Sequence, residues 1–447
     1  MYTISKAHLL ATAAVLSLII TTFLIFGTQY STSVAKYALK TSLQTGGCAP
    51  PPAEFPMSSS NTTTAWEFEA ARDGNNYGLT ARQCRAAFPK LFVEIDNSTA
   101  TRAQNPIRYE ELDQIEMADG MVRGMIADGQ LYIISYTPQP ATFSRAKATL
   151  HALHRALAAS PDPLPPLEFI LTTEDFYLPP PTTTTTASGP PIWSYTKLPH
   201  HRHTWLMPDF GYWSWPEVGV GPYGALRARI AALEATLPSF AQKRKQLLWR
   251  GSTATNPAVR GTLLKAAQGK SWSSVRTLDW DSTSEPSAGS GSGSGSGKGM
   301  PEAFLPMHEH CGYMFLAHTE GRSFSGRGKY LLNCRAVVLS HPLSWREAHH
   351  AALVAAPHPE ANYVVVEEEG WADLDAKMRW LIDHPEVAER IADEAVRTFR
   401  DRYLTPAAEA CYWRELVGAY SRVSGFVPVL EGREGVVAFE DWVLGVS

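Results

Sequence analysis

Hydrophobic and polar residues alternate along the chain with two different periods. Short apolar runs predict buried strands at 91–95, 130–135, 167–171, 246–249, 337–339 and 363–366. Apolar residues at helical spacing predict helices at 65–88, 143–158, 374–382 and 387–397, and one more after residue 403. Strands and helices that alternate in this way are typical of an α/β protein.

The length of the chain is sufficient for more than one domain. With 447 residues it can form two domains, each with its own core. We expect an α/β domain at 66–240 and a second at 241–400, followed by a helical segment at 401–447 that packs back on the first. A threonine run at 182–186 and a Ser-Gly repeat at 287–297 are interpreted as loop expansions.

The N-terminal region contains the longest uncharged stretch. Residues 9–26 carry no charge and are just long enough to span a bilayer core. We therefore expect a short tail at 1–8, a transmembrane signal anchor at 9–27, and a stem rich in Ser, Thr, Pro and Ala at 28–65. Small residues at 33–35 leave open the alternative of a cleaved signal peptide. Both alternatives direct the body of the protein into the secretory pathway.

Charge, cysteines and glycosylation motifs agree with that compartment. The net charge of -4 argues against a nucleic-acid binder, which needs a basic surface. Asn61 and Asn97 begin triplets of the type that accepts N-linked glycans. The cysteines allow one or two disulfides of undetermined pairing and have no metal-site spacing: Cys48, Cys84, Cys311, Cys334 and Cys411.

A first candidate ligand-binding motif, Trp249-Arg250-Gly251-Ser252, ends the predicted strand at 246–249. Its glycine allows the backbone to approach a ligand, and the serine hydroxyl and backbone N–H groups can hold a phosphate oxygen. Arg250 or Arg260 could add a charge-assisted hydrogen bond. A strand-to-helix turn capped by the serine explains the motif equally well.

A second candidate motif lies at 319–332, where a cation-rich loop precedes a predicted helix. Its cations and glycines are Arg322, Arg327, Lys329, Gly321, Gly326 and Gly328. A diphosphate at a helix start is stabilised by the helix dipole and by bidentate arginine contacts. Glu320 could accept hydrogen bonds from ribose hydroxyls. The alternative is a solvated basic loop.

A candidate general base follows the predicted strand at 167–171. Glu174 and Asp175 stand at its carboxyl end, where open α/β sheets bind their ligands. A carboxylate there could deprotonate an acceptor hydroxyl that attacks C1 of a sugar. A solvated acidic loop is the alternative.

An aromatic-rich segment at 205–216 is a candidate sugar-binding surface. Trp213 and Trp215 could stack on a sugar ring, as tryptophan side chains combine a large apolar face with a polar N–H. Packing of the same rings on the protein core explains the composition equally well.

At these residues the chain resembles the CAP10-like glycosyltransferases, glycosyltransferase family 90, which include fungal xylosyltransferases and animal protein O-glucosyltransferases. The resemblance covers roughly residues 167–421. It rests on the motifs at 249–252, 320–332 and 207–211, and on Cys334 with the predicted strand at 337–339.

The resemblance implies a GT-B fold, in which two Rossmann-like domains face a cleft. It also implies a metal-independent enzyme without a cofactor, which transfers a sugar from a UDP-sugar with inversion at the anomeric carbon. Xylose or glucose is the favoured sugar, and a glycan or glycoprotein is the expected acceptor. With the N-terminal anchor, we expect a single-pass type II protein of the Golgi or endoplasmic reticulum membrane whose catalytic body lies in the lumen.

The family motifs match individual residues of this chain. The family base matches Asp175, but glutamate replaces the arginine that precedes the base in the family, which leaves Glu174 as a second candidate. Arg260 lies two residues further along than the family spacing. The positions that match or lie beside the donor-binding motifs are Ser252, Arg260, Glu320, Gly321, Arg322, Ser323, Phe324, Ser325 and Arg327.

Two other functions remain as alternatives. A catalytically inactive, membrane-anchored relative could bind glycans through its tryptophans. A glycoside hydrolase would need two carboxylates that face one cleft. Only Glu174 and Asp175 are close in sequence, and neighbouring side chains on a strand diverge.

Overall fold

A computed structural model describes residues 66–142, 144–177, 189–279, 303–367 and 369–446. The predicted anchor and stem, Asn61, Cys48, the threonine run and the Ser-Gly repeat lie outside the described residues. Within these ranges, no helix has the length and apolar character needed to cross a membrane. The described residues belong to one compact unit that begins at Trp66, and the predicted division at residue 240 stays a prediction.

The first sheet is mixed. Its strands are β1 (Met121–Ala127), β2 (Gln130–Tyr136), β3 (Leu167–Thr172), β4 (Trp193–Ser194), β5 (Trp205–Leu206) and, from the C-terminal region, β11 (Val437–Ala438), in the order β11-β2-β1-β3-β4-β5. Strands β11, β2, β1 and β3 pair antiparallel, whereas β3, β4 and β5 pair parallel. Every residue of β3 is buried, including Glu168, whose carboxylate forms ion pairs with Arg123 and Arg433.

The second sheet is entirely parallel. Its strands are β6 (Arg244–Gly251), β7 (Ser273–Thr277), β8 (Tyr313–His318), β9 (Val337–Ser340) and β10 (Val364–Val365), in the order β10-β9-β8-β6-β7. Because the strands are parallel, their carboxyl ends lie at one edge of the sheet. The first candidate motif ends β6 and the second follows β8, and because these strands are neighbours in the sheet, the fold brings the motifs together.

Helices cover both sheets. They are α1 (Ala70–Asp73), α2 (Ala81–Ala87), α3 (Val93–Arg102), α4 (Tyr109–Asp113), α5 (Ser144–Ala158), α6 (Tyr223–Ala235), α7 (Pro257–Ala267), α8 (Gly328–Leu331), α9 (Leu374–Asp383), α10 (Pro385–Ala395), a π-helix (Val396–Tyr403), α11 (Pro406–Arg422) and α12 (Phe439–Leu444). The two sheets and their helices form the mixed α/β structure that the pattern of apolar residues predicts.

Two of the predicted elements are wrong. The run at 91–95 belongs to a helical region and not to a strand, because its buried residues Leu91, Phe92 and Ile95 recur at helical spacing while Val93 is exposed. The single helix predicted at 65–88 is two short helices, since Thr80 forms a capping box with Gln83 and starts α2 anew.

Helix α11 ties the C-terminal region to the first sheet. Its Trp413 and Tyr420 rings contact Trp193 of β4, with centroid separations of 6.3 and 5.5 Å. A disulfide joins Cys84 of α2 to Cys411 of α11. A second disulfide joins Cys311, before β8, to Cys334, after α8. Four of the five cysteines are therefore paired.

Candidate active site

The two glycine-rich motifs meet at the carboxyl edge of the second sheet. The indole Nε1 of Trp249, in β6, donates a hydrogen bond to the Oγ1 of Thr319, immediately after β8, at 3.0 Å. Both groups are buried, so this bond fixes the end of one strand relative to the other. Residues 252 and 320–327, on the loops that continue from these strands, therefore lie beside each other.

Arg260 is the first cation at this edge. It lies in the first half of α7, which begins after Asn256 accepts a hydrogen bond from the N–H of Val259. Its Nε donates to the carbonyl oxygen of Glu320 at 3.0 Å, and its Nη1 donates to that of Ser252 at 2.8 Å. Burial lowers the pKa of Arg260 to about 10. Neutral oxygens hold this guanidinium, and among the described residues no carboxylate is paired with it.

Arg327 is the second cation. Its guanidinium lies over the Trp249 ring, 5.7 Å from the centroid. A Cβ at residue 251 would lie 2.8 Å from the Trp249 ring and 2.9 Å from Nη2 of Arg327, which explains the glycine there. Burial, and repulsion from Arg260, lower the pKa of Arg327 to about 9. In the described part of the chain, no hydrogen-bond acceptor or carboxylate is paired with its guanidinium. Two guanidinium groups that repel each other, Arg260 buried and Arg327 half-buried, form a site for an anion.

The other predicted cations do not join this pair. Lys329 is buried and forms an ion pair of 2.6 Å with Asp209. Arg322 is exposed to solvent. Arg250 donates through Nε to the carbonyl oxygen of Ala303 at 2.9 Å, so it is engaged away from the arginine pair. The helix α8 that follows Arg327 is a single turn, and the longer helix at this edge is α7.

The carboxylate of Glu320 is used within the protein. Its Oε1 accepts hydrogen bonds from the backbone N–H groups of Ser344 and Trp345, both at 2.8 Å. Its own N–H donates to Nε2 of His341 at 3.1 Å, so that nitrogen is the acceptor of the ring. Burial raises the pKa of Glu320 to about 7. A contact with ribose hydroxyls stays a prediction.

The rest of the loop at 320–327, named the donor loop after its predicted role, is held by hydrogen bonds and ring packing. The N–H of Gly321 donates to the carbonyl oxygens of Ser323 and Phe324. Phe324 is buried, and its ring centroid lies 6.3 Å from that of Tyr195. The carbonyl oxygen of Ser325 accepts a hydrogen bond from the N–H of Gly328. The hydroxyl of Ser252 accepts from the N–H of Ala254 at 3.3 Å and keeps its own hydrogen available for a ligand.

Asp175 faces this edge from the end of β3. Its Oδ1 accepts a hydrogen bond from Nη1 of Arg145 at 2.9 Å, and its side chain is 30% exposed. Its backbone carbonyl oxygen accepts from the Oγ of Ser323 at 2.7 Å, which links the base candidate directly to the donor loop. Asp175 also acts electrostatically on Arg260, whose charged form it favours. The structure thus brings Asp175 together with Ser323 and within electrostatic reach of Arg260.

Glu174 points elsewhere. Its Oε1 accepts a hydrogen bond from Nε2 of Gln139 at 3.0 Å, and it lies near Gly120 at the start of β1. The two neighbouring carboxylates therefore have different partners. This divergence favours Asp175 over Glu174 as the base and leaves no carboxylate pair of the kind a glycoside hydrolase needs at this loop.

The two tryptophans predicted to stack on a sugar have protein partners. Trp213 stacks on His151 of α5 at 4.7 Å, and the guanidinium of Arg155 lies 4.9 Å from its centroid. Trp215 lies against the donor loop, where a Cβ at Gly326 would be 3.1 Å from its ring. Sugar stacking by these rings stays a prediction.

Sequence patterns did not indicate several residues of this region. Arg145 lies in α5, 30 positions from Asp175, and belongs to no motif. Trp345 follows β9, and its ring lies 5.1 Å from Phe176. The Met207–Gly211 stretch, by contrast, is part of the sequence resemblance, and its Asp209 caps the turn at 210–212 and pairs with Lys329 of α8.

Two further predictions concern glycosylation and metal binding. Asn97 is exposed on α3, and its acceptor triplet lies within a helix. Among the described residues, no cluster of three or more His, Cys, Asp or Glu side chains is arranged to hold a metal ion. Metal independence stays a prediction.

Comparison with known proteins adds one match. A protein-family model described as "Glycosyl transferase family 90" matches residues 82–440. The matched range includes Asp175, Ser252 and the donor loop. No curated protein matches the chain.

Proposed function

Because the chain belongs to glycosyl transferase family 90, we propose that it transfers a sugar from a UDP-sugar to a hydroxyl of a glycan or glycoprotein, with inversion. Xylose and glucose are the favoured sugars. The proposed fold is GT-B: the first sheet belongs to the acceptor-side domain, the second to the nucleotide-sugar domain, and the cleft passes between Asp175 and the arginine pair.

The arginine pair carries this proposal. Arg260 and Arg327 repel each other and are desolvated, and in the described part of the chain neither forms an ion pair with a carboxylate, although Asp175 attracts Arg260 from beyond ion-pair distance. A diphosphate would relieve that repulsion and accept hydrogen bonds from both groups. The N-terminus of α7 and the hydroxyl of Ser252 would add stabilisation on the same side.

The reaction we propose is a direct displacement. Oδ2 of Asp175 takes the proton of the acceptor hydroxyl, while Arg145 holds Oδ1. The acceptor oxygen forms a bond to C1 on the face opposite UDP, and the bond between C1 and the phosphate oxygen breaks. Its electron pair leaves with UDP. Arg260 and Arg327 stabilise the negative charge that develops on the diphosphate, a contribution of about 3 kcal/mol for one well-placed donor.

We also propose a lumenal location. The apolar run at 9–26 would anchor the chain, and the acceptor triplets at Asn61 and Asn97 suit the secretory pathway. The disulfides Cys84–Cys411 and Cys311–Cys334 support an oxidising compartment. Cell fractionation with protease protection and glycosidase digestion tests this part. A cytosolic, unglycosylated protein would contradict it.

A panel of UDP-sugars tests the activity. The purified protein should release UDP from one of them, UDP-xylose and UDP-glucose foremost, and faster with an acceptor glycan or glycoprotein present. EDTA should leave the rate unchanged. Glycan binding without UDP release from any donor would instead favour the inactive glycan-binding alternative.

A further inference from the structure

The segment 344–347 lies between the donor loop and the base. Glu320 holds its start by accepting the N–H groups of Ser344 and Trp345. The ring of Trp345 then packs on Phe176, the residue after Asp175, with centroids 5.1 Å apart and planes inclined by 35°. A chain of direct contacts therefore leads from the donor loop to the residue next to the base.

The remainder of this segment is fixed to the first half of the protein. Arg346 exchanges backbone hydrogen bonds with Lys197, at 2.9 and 3.2 Å. Its Nη1 donates to the buried carboxylate of Glu94 at 2.7 Å, and Glu94 also pairs with Lys197 at 3.1 Å. These contacts hold Arg346 firmly, so the ring of Trp345 has a defined position beside it.

Glu320 connects this segment to the arginine pair. Its carbonyl oxygen accepts from Nε of Arg260, while its carboxylate accepts from the backbone of the 344–347 segment. Glu320 thus contacts Arg260 of the proposed diphosphate site through its main chain. Through its side chain it holds the segment whose Trp345 packs on Phe176. The second oxygen of the carboxylate is 3.9 Å from Nε2 of His341.

A second contact from the same loop reaches the base. Ser323 is fully buried, and its hydroxyl donates to the carbonyl oxygen of Asp175. The donor loop consequently contacts the base loop twice, once directly and once through Trp345. A shift of the loop would move the carboxylate of Asp175 relative to C1 of the donor sugar.

From these contacts we propose that Glu320 and Trp345 are positioning residues that hold the Asp175 loop in register with the diphosphate site. The proposal rests on the transferase function above. It assigns the Glu320 carboxylate to the support of the base loop, and not to the ribose. The base reaches its working position only while the donor loop keeps the conformation that binds the diphosphate.

The contacts that lead from Glu320 through Trp345 to Phe176 are called the relay. They predict that variants of the relay change kcat without changing nucleotide affinity. Trp345→Ala should lower kcat about 10- to 100-fold, the cost of a displacement of about 1 Å at a reacting group, with the Kd for UDP changed less than about threefold. Trp345→Phe should retain most of kcat, since a phenyl ring still packs on Phe176. Trp380→Ala is the matched control. The exposed ring of Trp380, in α9, stacks on His384 at the end of that helix, and its loss should leave kcat unchanged.

Glu320 variants test the other half of the relay. Glu320→Gln keeps an oxygen that accepts both N–H groups and should retain kcat within about threefold, whereas Glu320→Ala should lose kcat as Trp345→Ala does. The double variant Glu320→Ala/Trp345→Ala should be no slower than either single variant, because both act on one path. Thermal melts of each variant establish that it is folded.

The outcomes distinguish this proposal from the transferase function. Unchanged kcat in Trp345→Ala, or a large rise in the Kd for UDP with unchanged kcat in Glu320→Ala, overturns the relay in an active enzyme. The second result would assign Glu320 to the nucleotide. A wild-type protein that neither binds UDP nor uses any UDP-sugar overturns the transferase function itself.

Discussion

The guanidinium of Arg145 donates a hydrogen bond from Nη1 to Oδ1 of Asp175 at 2.9 Å, and also to the carbonyl oxygen of Thr173 at 3.3 Å. Its planar group lies 4.6 Å from the centroid of the Phe210 ring. The arginine is thus itself fixed, and it fixes one oxygen of the carboxylate. The other oxygen has no hydrogen-bond partner among the described residues and can face an acceptor hydroxyl.

Arg145→Ala should therefore lower kcat about 10- to 100-fold, because the carboxylate loses its orientation, while UDP affinity stays unchanged. Steady-state kinetics and calorimetric titration with UDP measure the two quantities. Lys147→Ala is the control, since this exposed residue lies on the same helix and should have no effect. A variant of Arg145 with normal kcat would exclude the positioning role.

Arg327→Ala should raise the Kd for UDP about 30-fold or more, as expected when a charge-assisted contact of about 2 kcal/mol or more is lost. The same substitution should weaken the binding of uridine less than that of UDP, because uridine has no phosphate. Arg379→Ala removes an exposed arginine paired with Asp375 on α9 and serves as the charge control. Equal UDP affinity in the Arg327 variant and the wild type would contradict the diphosphate site.

The buried ion pair between Lys329 and Asp209 should be important for stability. Lys329→Ala leaves the Asp209 carboxylate buried without its cation and should cost about 3–5 kcal/mol in the free energy of unfolding. Breaking the exposed pair between Arg85 and Asp96 through Asp96→Ala should cost less than about 1 kcal/mol. Urea denaturation measures both. If Lys329→Ala lowers the free energy of unfolding as little as Asp96→Ala does, the buried pair is not important for stability.

His318 should make stability depend on pH. Burial lowers its pKa to about 3, so between pH 6.5 and 3 the unfolded chain binds a proton that the folded protein does not. Stability from this group is therefore lost as pH falls below 6.5, by about 2 kcal/mol between pH 7 and pH 5. In His318→Gln that portion of the pH dependence should disappear. In His358→Gln, which alters an exposed histidine, it should remain.

The sequence predicted those parts of the fold and site that depend on local pattern. Strand β3 follows from a short run of mainly apolar residues and helix α5 from helical spacing, and the position of Asp175 at the carboxyl end of the sheet follows from the buried strand before it. Ser252 and Arg327 belong to glycine-containing motifs whose loops the structure places side by side, and their contact with a ligand stays a prediction. Strands β4 and β5 have two residues each, too few for any period to be recognised.

Features that depend on distant partners were not predictable. The cations at 322, 327 and 329 are equivalent by composition, yet only the fold pairs Lys329 with Asp209 and leaves Arg327 unpaired in the described structure. Arg145 contacts Asp175 because α5 packs on β2 and on the turn at 210–212, and no sequence spacing encodes that contact. The sequence around Trp213 is compatible with a sugar-stacking surface, but in the folded protein the ring of His151 stacks on that of Trp213.

The central claim is that Asp175 removes the acceptor proton while the arginine pair holds UDP. The most direct measurement compares transfer rate and UDP affinity in Asp175→Asn and Glu174→Gln with those of the wild type. We predict that Asp175→Asn abolishes transfer but binds UDP normally, and that Glu174→Gln retains both. Transfer that survives in Asp175→Asn, or UDP binding that is lost together with transfer, would contradict the assignment.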